Sequence, residues 1–135
     1  MDKIIVEAKV EKLDAVLDFV NKKLEDNDCP MKTQIQIDVA VEEIFVNIAS
    51  YAYAPGEGDA TIEAEIYDDP LRIAIRFTDS GMPYDPLAKE DPDVTLPAEE
   101  RQIGGLGIYM VKKSMDEVAY EHKDGNNVFT IIKNL

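Results

Sequence analysis

The segment from Lys32 to Tyr53 is the most apolar long segment of the chain and constrains its fold most. Its start, Gln34-Ile35-Gln36-Ile37-Asp38, alternates as a strand would. The continuation is too long and too rich in Ala and Glu for a strand, so it predicts a helix. Ile37, Val41, Ile44, Phe45, Ile48 and Ala49 give that helix a broad apolar surface, as expected of a central, buried element. A chain of 135 residues suits one domain, 1–135, with one sizeable core.

The flanking patterns fill in that core. Residues 3–8 read as an edge or half-buried strand. Leu13, Val16, Leu17, Val20 and Leu24 recur at three- and four-residue steps, which predicts an amphipathic helix over 11–26. Asn27-Asp28-Cys29-Pro30 ends it with turn residues. Residues 61–67 and 71–78 alternate apolar and polar side chains around Asp68-Asp69-Pro70, the pattern of an antiparallel hairpin with one face buried. Its outer residues, acidic on one strand and basic on the other, are placed to pair across it. Asp79 to Gln102 carries Pro83, Pro86, Pro92 and Pro97 and no sustained period, so it reads as a long loop of the kind that serves as a lid. A helix over 106–115 follows, then a second hairpin over 118–122 and 128–132 around Asp124-Gly125-Asn126. The order β-α-α-β-β-lid-α-β-β predicts an α+β fold. It is a two-layer sandwich: a mixed, mostly antiparallel sheet with about three helices on one face.

Charge and composition narrow the function. The net charge is −14, from 28 acidic and 14 basic residues. That argues against a nucleic acid or anionic membrane as partner, since each needs a basic face. It leaves room for a nucleotide, provided that backbone amides and a cation meet the phosphates. The single cysteine, Cys29, cannot form an intrachain disulfide and reads as a structural, half-buried thiol. The single histidine, His122, falls in a strand and offers no basis for a His-rich metal site. No stretch is long enough to span a membrane, and the N-terminus lacks a signal-peptide layout, so a cytoplasmic protein is expected.

Three places carry candidate chemistry. Glu43 and Asn47 lie one turn apart on the most apolar helix. If buried, a carboxylate and an amide there ask for a ligand. An Asn oxygen can complete a Mg²⁺ shell whose other ligands are phosphate oxygens, and a Glu can accept a proton near a γ-phosphate. The alternative is that the pair marks the solvated edge of the helix, with Glu42 beside it. Asp79-Ser80-Gly81 ends a strand. It suits either a simple turn or a carboxylate that accepts a hydrogen bond from an exocyclic amine, with Gly81 letting a flat base approach. Gly104-Gly105-Leu106-Gly107 opens a helix, and is either a tight glycine-rich lead-in or a phosphate seat of amides and helix dipole. It is not a P-loop and lacks the G-x-G-x-x-G spacing of a dinucleotide fold.

Taken in order, Glu43-x-x-x-Asn47, Asp79-x-Gly81, a lid at about 82–103 and Gly104-Gly105-Leu106-Gly107 resemble the GHKL ATP-binding fold. That fold is shared by gyrase, histidine kinases, MutL and heat-shock chaperones. The ending Gly-Gly-Leu-Gly-Ile-Tyr-Met-Val-Lys-Lys-Ser-Met-Asp-Glu-Val is most similar to the small, stand-alone anti-sigma-factor serine kinases. The resemblance covers essentially the whole chain. It implies ATP or ADP and Mg²⁺ as ligands, with Asn47 on the metal and Glu43 as general base. Asp79 would hold the adenine amine, with Gly81 beside the base. Gly104, Gly105, Leu106 and Gly107 would cradle the phosphates, with Arg101 near the γ-phosphate. It further implies a homodimer that phosphorylates a STAS-type anti-sigma antagonist and holds a sigma factor in some states. Two departures stand out. Tyr51 occupies a position where relatives often carry His. Asn126-Asn127 stands where many have Gly-Thr, the Thr reaching toward adenine; Asn127 keeps the capacity to hydrogen-bond there. A nucleotide-gated interaction module without turnover, or a chain that keeps the fold and binds no nucleotide, are the alternatives.

Overall fold

Register in the sheet is set by its turns. The computed structural model describes residues 2–54, 56–88 and 105–135. The hairpin of β4 (Glu117–Lys123) and β5 (Asn126–Asn134) closes through Asp124 at φ 54° and Gly125 at φ 80°. Two consecutive positive φ values define the mirror-image turn whose twist matches that of the flanking strands. It pairs Lys123 with Asn126 and sends Asn127, Phe129 and Ile131 to one face. β5 also pairs with β3 (Arg72–Asp79), which pairs with β2 (Asp59–Tyr67), which pairs with β1 (Asp2–Glu7). The order is β1-β2-β3-β5-β4, and all four pairings are antiparallel. Glu63 and Arg76 meet across β2 and β3 at 4.0 Å, the cross-strand pairing expected from the alternation.

One face of the sheet is covered by α1 (Leu13–Asp26), α2 (Met31–Asn47) and α3 (Gly105–Ser114). Val16, Val20 and Leu24 from α1 and Ile37, Val41, Ile44 and Phe45 from α2 are buried against Ile62, Ile73, Ile75, Phe77 and Ile131 of the sheet. Val111 and Met115 complete the layer beside α2. α3 ends with the Lys133 ammonium donating to the Ser114 carbonyl oxygen at 2.7 Å, a cation at the negative end of a helix. The expected helix over 32–53 has two parts, because α2 widens after Asn47 into a π-helical turn, Ile48–Ala52. Such turns concentrate at functional sites.

A polar seam lies between α1 and α2. Gln34 Nε2 donates to Asn21 Oδ1 at 3.0 Å, and Asp38 hydrogen-bonds to Asn21. Among the described residues, Asp38 Oδ1 is the buried side-chain oxygen with no partner. Burial pushes the Asp38 carboxyl above the usual range, against the lowering pull of Asn21. A raised folded-state pKa means that the ionised form costs stability, fully so above the folded pKa and not at all below the unfolded one. Asp38→Asn is therefore expected to gain about 1 kcal/mol at pH 7 and to lose that advantage near pH 4, as read by urea unfolding. Cys29 is next to this seam. Its thiol is also pushed up, by burial and then by the Asp38 charge, which matches the structural thiol expected. No helix of the described residues is long and apolar enough to cross a membrane.

Candidate nucleotide site

α2 presents Glu43 and Asn47 on the side that meets α3. Both are half-buried, whereas Glu42 is exposed, so the pair is not the solvated edge of the helix. Asn47 Nδ2 donates to Glu43 Oε1 at 3.3 Å. The carboxylate lies against the first turn of α3: a Cβ built on Gly107 would stand 2.0 Å from Glu43 Oε1 and 2.1 Å from its Cδ. The glycine leaves room for this close approach, and no positive φ calls for it there. The neighbouring helix start, with unpaired N–H groups and the positive end of the dipole, suits an anion. Because the Asn47 amide nitrogen is committed to Glu43, its oxygen is the atom open to a cation, and an amide oxygen is the donor type that Mg²⁺ accepts. The donor chemistry of Asn47 thus fits the metal implied by the sequence.

Gly107→Ala tests this contact. The obstructing atoms are the far end of a flexible side chain, so the fold can yield while Glu43 swings away. The expected result is about a tenfold loss of any chemistry that depends on Glu43, with the melting temperature nearly unchanged in the same preparation.

The second half of the site is the end of β3. Asp79 and Asn127 are the buried polar residues among those described, each 6% exposed, and they face one another in the β3–β5 register. Asp79 Oδ1 accepts from the Gly81 N–H and from Asn127 Nδ2, both at 2.9 Å. The same Asn127 nitrogen donates to the Met82 carbonyl at 2.9 Å, and its Oδ1 accepts from the Tyr120 hydroxyl and the Tyr84 N–H. Burial raises the Tyr120 phenol above its ordinary range.

The two halves are tied by the π-helical turn. The Met82 N–H donates to the Ala52 carbonyl at 2.8 Å, and a Cβ on Gly81 would lie 2.1 Å from that oxygen. The close approach that demands glycine at 81 is thus to the backbone of Ala52. Tyr53 adds a second tie: its hydroxyl donates to the Asp59 carbonyl at 2.6 Å and accepts from the Ser80 N–H at 2.7 Å.

The fold brings together Glu43, Asn47 and Gly107 at one end, and Asp79, Gly81 and Asn127 at the other. Gly105 and Leu106 lie in the first turn of α3. Arg101, Gly104 and the lid from Lys89 to Ile103 lie outside the described residues, while Pro86–Ala88 forms a short helical turn before them. Tyr51, one of the two departures, is exposed. Sequence reasoning did not single out Tyr53 or Tyr120. For Tyr120 a signal existed, since it alternates with Val118 and His122 and so falls on the helix-covered face with Asn127.

Known proteins bear on this geometry. Residues 6–133 match the histidine kinase-like ATPase domain. The chain is 32% identical over 94 residues to the serine-protein kinase RsbW of Bacillus cereus, across 67% of this chain and 58% of that protein. It is 32% identical over 97 residues to RsbW of Listeria monocytogenes, across 68% and 60%. It is 25% identical over 100 residues to the serine/threonine-protein kinase BtrW of Bordetella bronchiseptica, across 74% and 70%. The match therefore spans about three-fifths of the length of these RsbW relatives. With residues 6–133 of its 135 matched by the family model, this chain belongs to the histidine kinase-like ATPase domain family.

Proposed function

We propose that the protein is an ATP-dependent serine kinase acting on another protein, of the anti-sigma-factor type. The observation that carries this reading is Glu43, held by Asn47 against the first turn of α3. A carboxylate at the positive end of a helix, in a family of ATPase domains with relatives named as serine kinases, supports its use as a general base beside a phosphate seat.

In this reading Asp79 accepts a hydrogen bond from the adenine amine, and the α3 amides at Gly105, Leu106 and Gly107 meet the phosphates. Gly104 and Arg101 belong to the same phosphate end. Mg²⁺, held by Asn47, would neutralise phosphate charge, as the acidity of the chain requires. The substrate serine oxygen attacks the γ-phosphorus, its proton passes to the Glu43 carboxylate, the β–γ bridging bond breaks and ADP leaves. Most of the rate enhancement comes from positioning and charge stabilisation.

The substrate proposed is a STAS-type anti-sigma antagonist, with a sigma factor as a second partner and a homodimer as the working assembly. The test is to incubate the purified chain with Mg·ATP and a STAS partner that carries a phosphoacceptor serine. Phosphoserine on the partner is expected. Binding of Mg·ATP, seen as a rise in melting temperature, without transfer to any STAS partner would remove the kinase and leave a nucleotide-gated module.

A further inference from the structure

Among the described residues, the side-chain amide of Asn127 makes the most hydrogen bonds. Its nitrogen carries two hydrogens and donates to Asp79 Oδ1 and to the Met82 carbonyl, each at 2.9 Å, with the Gly81 carbonyl at 3.5 Å. Its oxygen offers two lone pairs, which accept from the Tyr120 hydroxyl and the Tyr84 N–H. A primary amide has two donors and two acceptor sites, so this one is spent on protein partners. Asp79 is held in turn, because its Oδ1 takes both Asn127 and the Gly81 N–H. Among the described residues, Oδ2 has no such partner and is the oxygen left for a ligand. A buried network with every member satisfied is rigid, and a half-satisfied one is costly.

From this geometry we infer that Asn127, anchored by Tyr120, is a positioning residue that sets purine selectivity. It acts by orienting the Asp79 carboxylate rather than by touching the nucleotide. The inference rests on the reading of Asp79 as the acceptor of the base amine. One amide also grips the chain on both sides of Pro83, through the Met82 carbonyl and the Tyr84 N–H. The base-recognition carboxylate and the path of the chain leaving β3 are therefore fixed by the same group.

The test compares ADP with purine-riboside diphosphate, which lacks the 6-amine, by titration calorimetry on the full chain. The native protein is expected to prefer ADP by about 10–100-fold. Asn127→Ala should cut that preference to about threefold or less while affinity for the amine-free analogue stays within about threefold, because the phosphate end is untouched. Tyr120→Phe removes the hydroxyl that donates to Asn127 Oδ1 and accepts from the Tyr84 N–H, and should cut the preference in part, by about threefold. The analogue affinity in each variant reports an intact fold, which a general loss of structure would not preserve. A preference unchanged in both variants, or equal losses for both nucleotides, overturns the inference. Asp79→Asn separates the two levels: if that variant keeps the native preference, the reading of Asp79 is wrong and the positioning role falls with it. If Asp79→Asn loses the preference while Asn127→Ala and Tyr120→Phe keep it, only the positioning role fails.

Discussion

Glu43→Gln is expected to slow transfer of phosphate to the partner by about 10²–10⁴-fold, the usual worth of a positioned general base. Nucleotide affinity should change by no more than about threefold. The substitution keeps the shape of the side chain and its Oε1, which accepts from Asn47 Nδ2 at 3.3 Å. It keeps the seat against Gly107 as well, so fold and site geometry have no reason to shift. What it removes is the capacity to take a proton. Single-turnover transfer with the nucleotide prebound separates this from a binding defect. Equal rates for the native and variant chains would mean that Glu43 serves only to seat the start of α3. That outcome would leave phosphoryl transfer intact and remove Glu43 as its general base.

For Asp79→Asn, adenine nucleotides should bind about 10–100-fold more weakly, in line with a lost hydrogen bond to a charged acceptor. The physical cause is specific. An Asn at position 79 can still present one oxygen to the Gly81 N–H and to Asn127 Nδ2, the two bonds that occupy Oδ1 in the native chain. Its NH₂ then replaces the other oxygen and turns a donor toward the amine of the base. Stability should therefore hold while affinity falls, as a melting curve without nucleotide and a titration with ADP will show. A large drop in melting temperature without nucleotide would instead make Asp79 a structural partner of Asn127, with no separate role toward a ligand.

Much of the architecture was legible in one dimension. Helical spacing marked α1 through Val16, Val20 and Leu24, all fully buried. Alternation marked the β2–β3 hairpin, with Ile62, Ala64, Ile73, Ile75 and Phe77 inside. These signals are local, since an amphipathic element repeats its pattern with its own period whatever covers it. Element ends were less legible. β5 begins at Asn126 rather than Val128, because the Asp124-Gly125 turn is only two residues long and pairing starts at once. The break of α2 into a π-helical turn had no periodic signature, since it depends on what the last turn meets, namely Gly81 and Met82 at the end of β3.

The sequence by itself determined the α+β class, the order of elements, the acidic surface and the residue types available for chemistry. Only the tertiary structure decided between the solvated and the inward reading of Glu43 and Asn47, because burial belongs to the face that a neighbour covers. It also decided why Gly107 and Gly81 are glycines: one yields to the Glu43 carboxylate and the other to the Ala52 carbonyl. It joined Asp79 to Asn127 across 48 residues of chain, in a register written by a two-residue turn. A site of this kind consists of contacts between distant segments, and a one-dimensional pattern carries no distance between them until the core has packed.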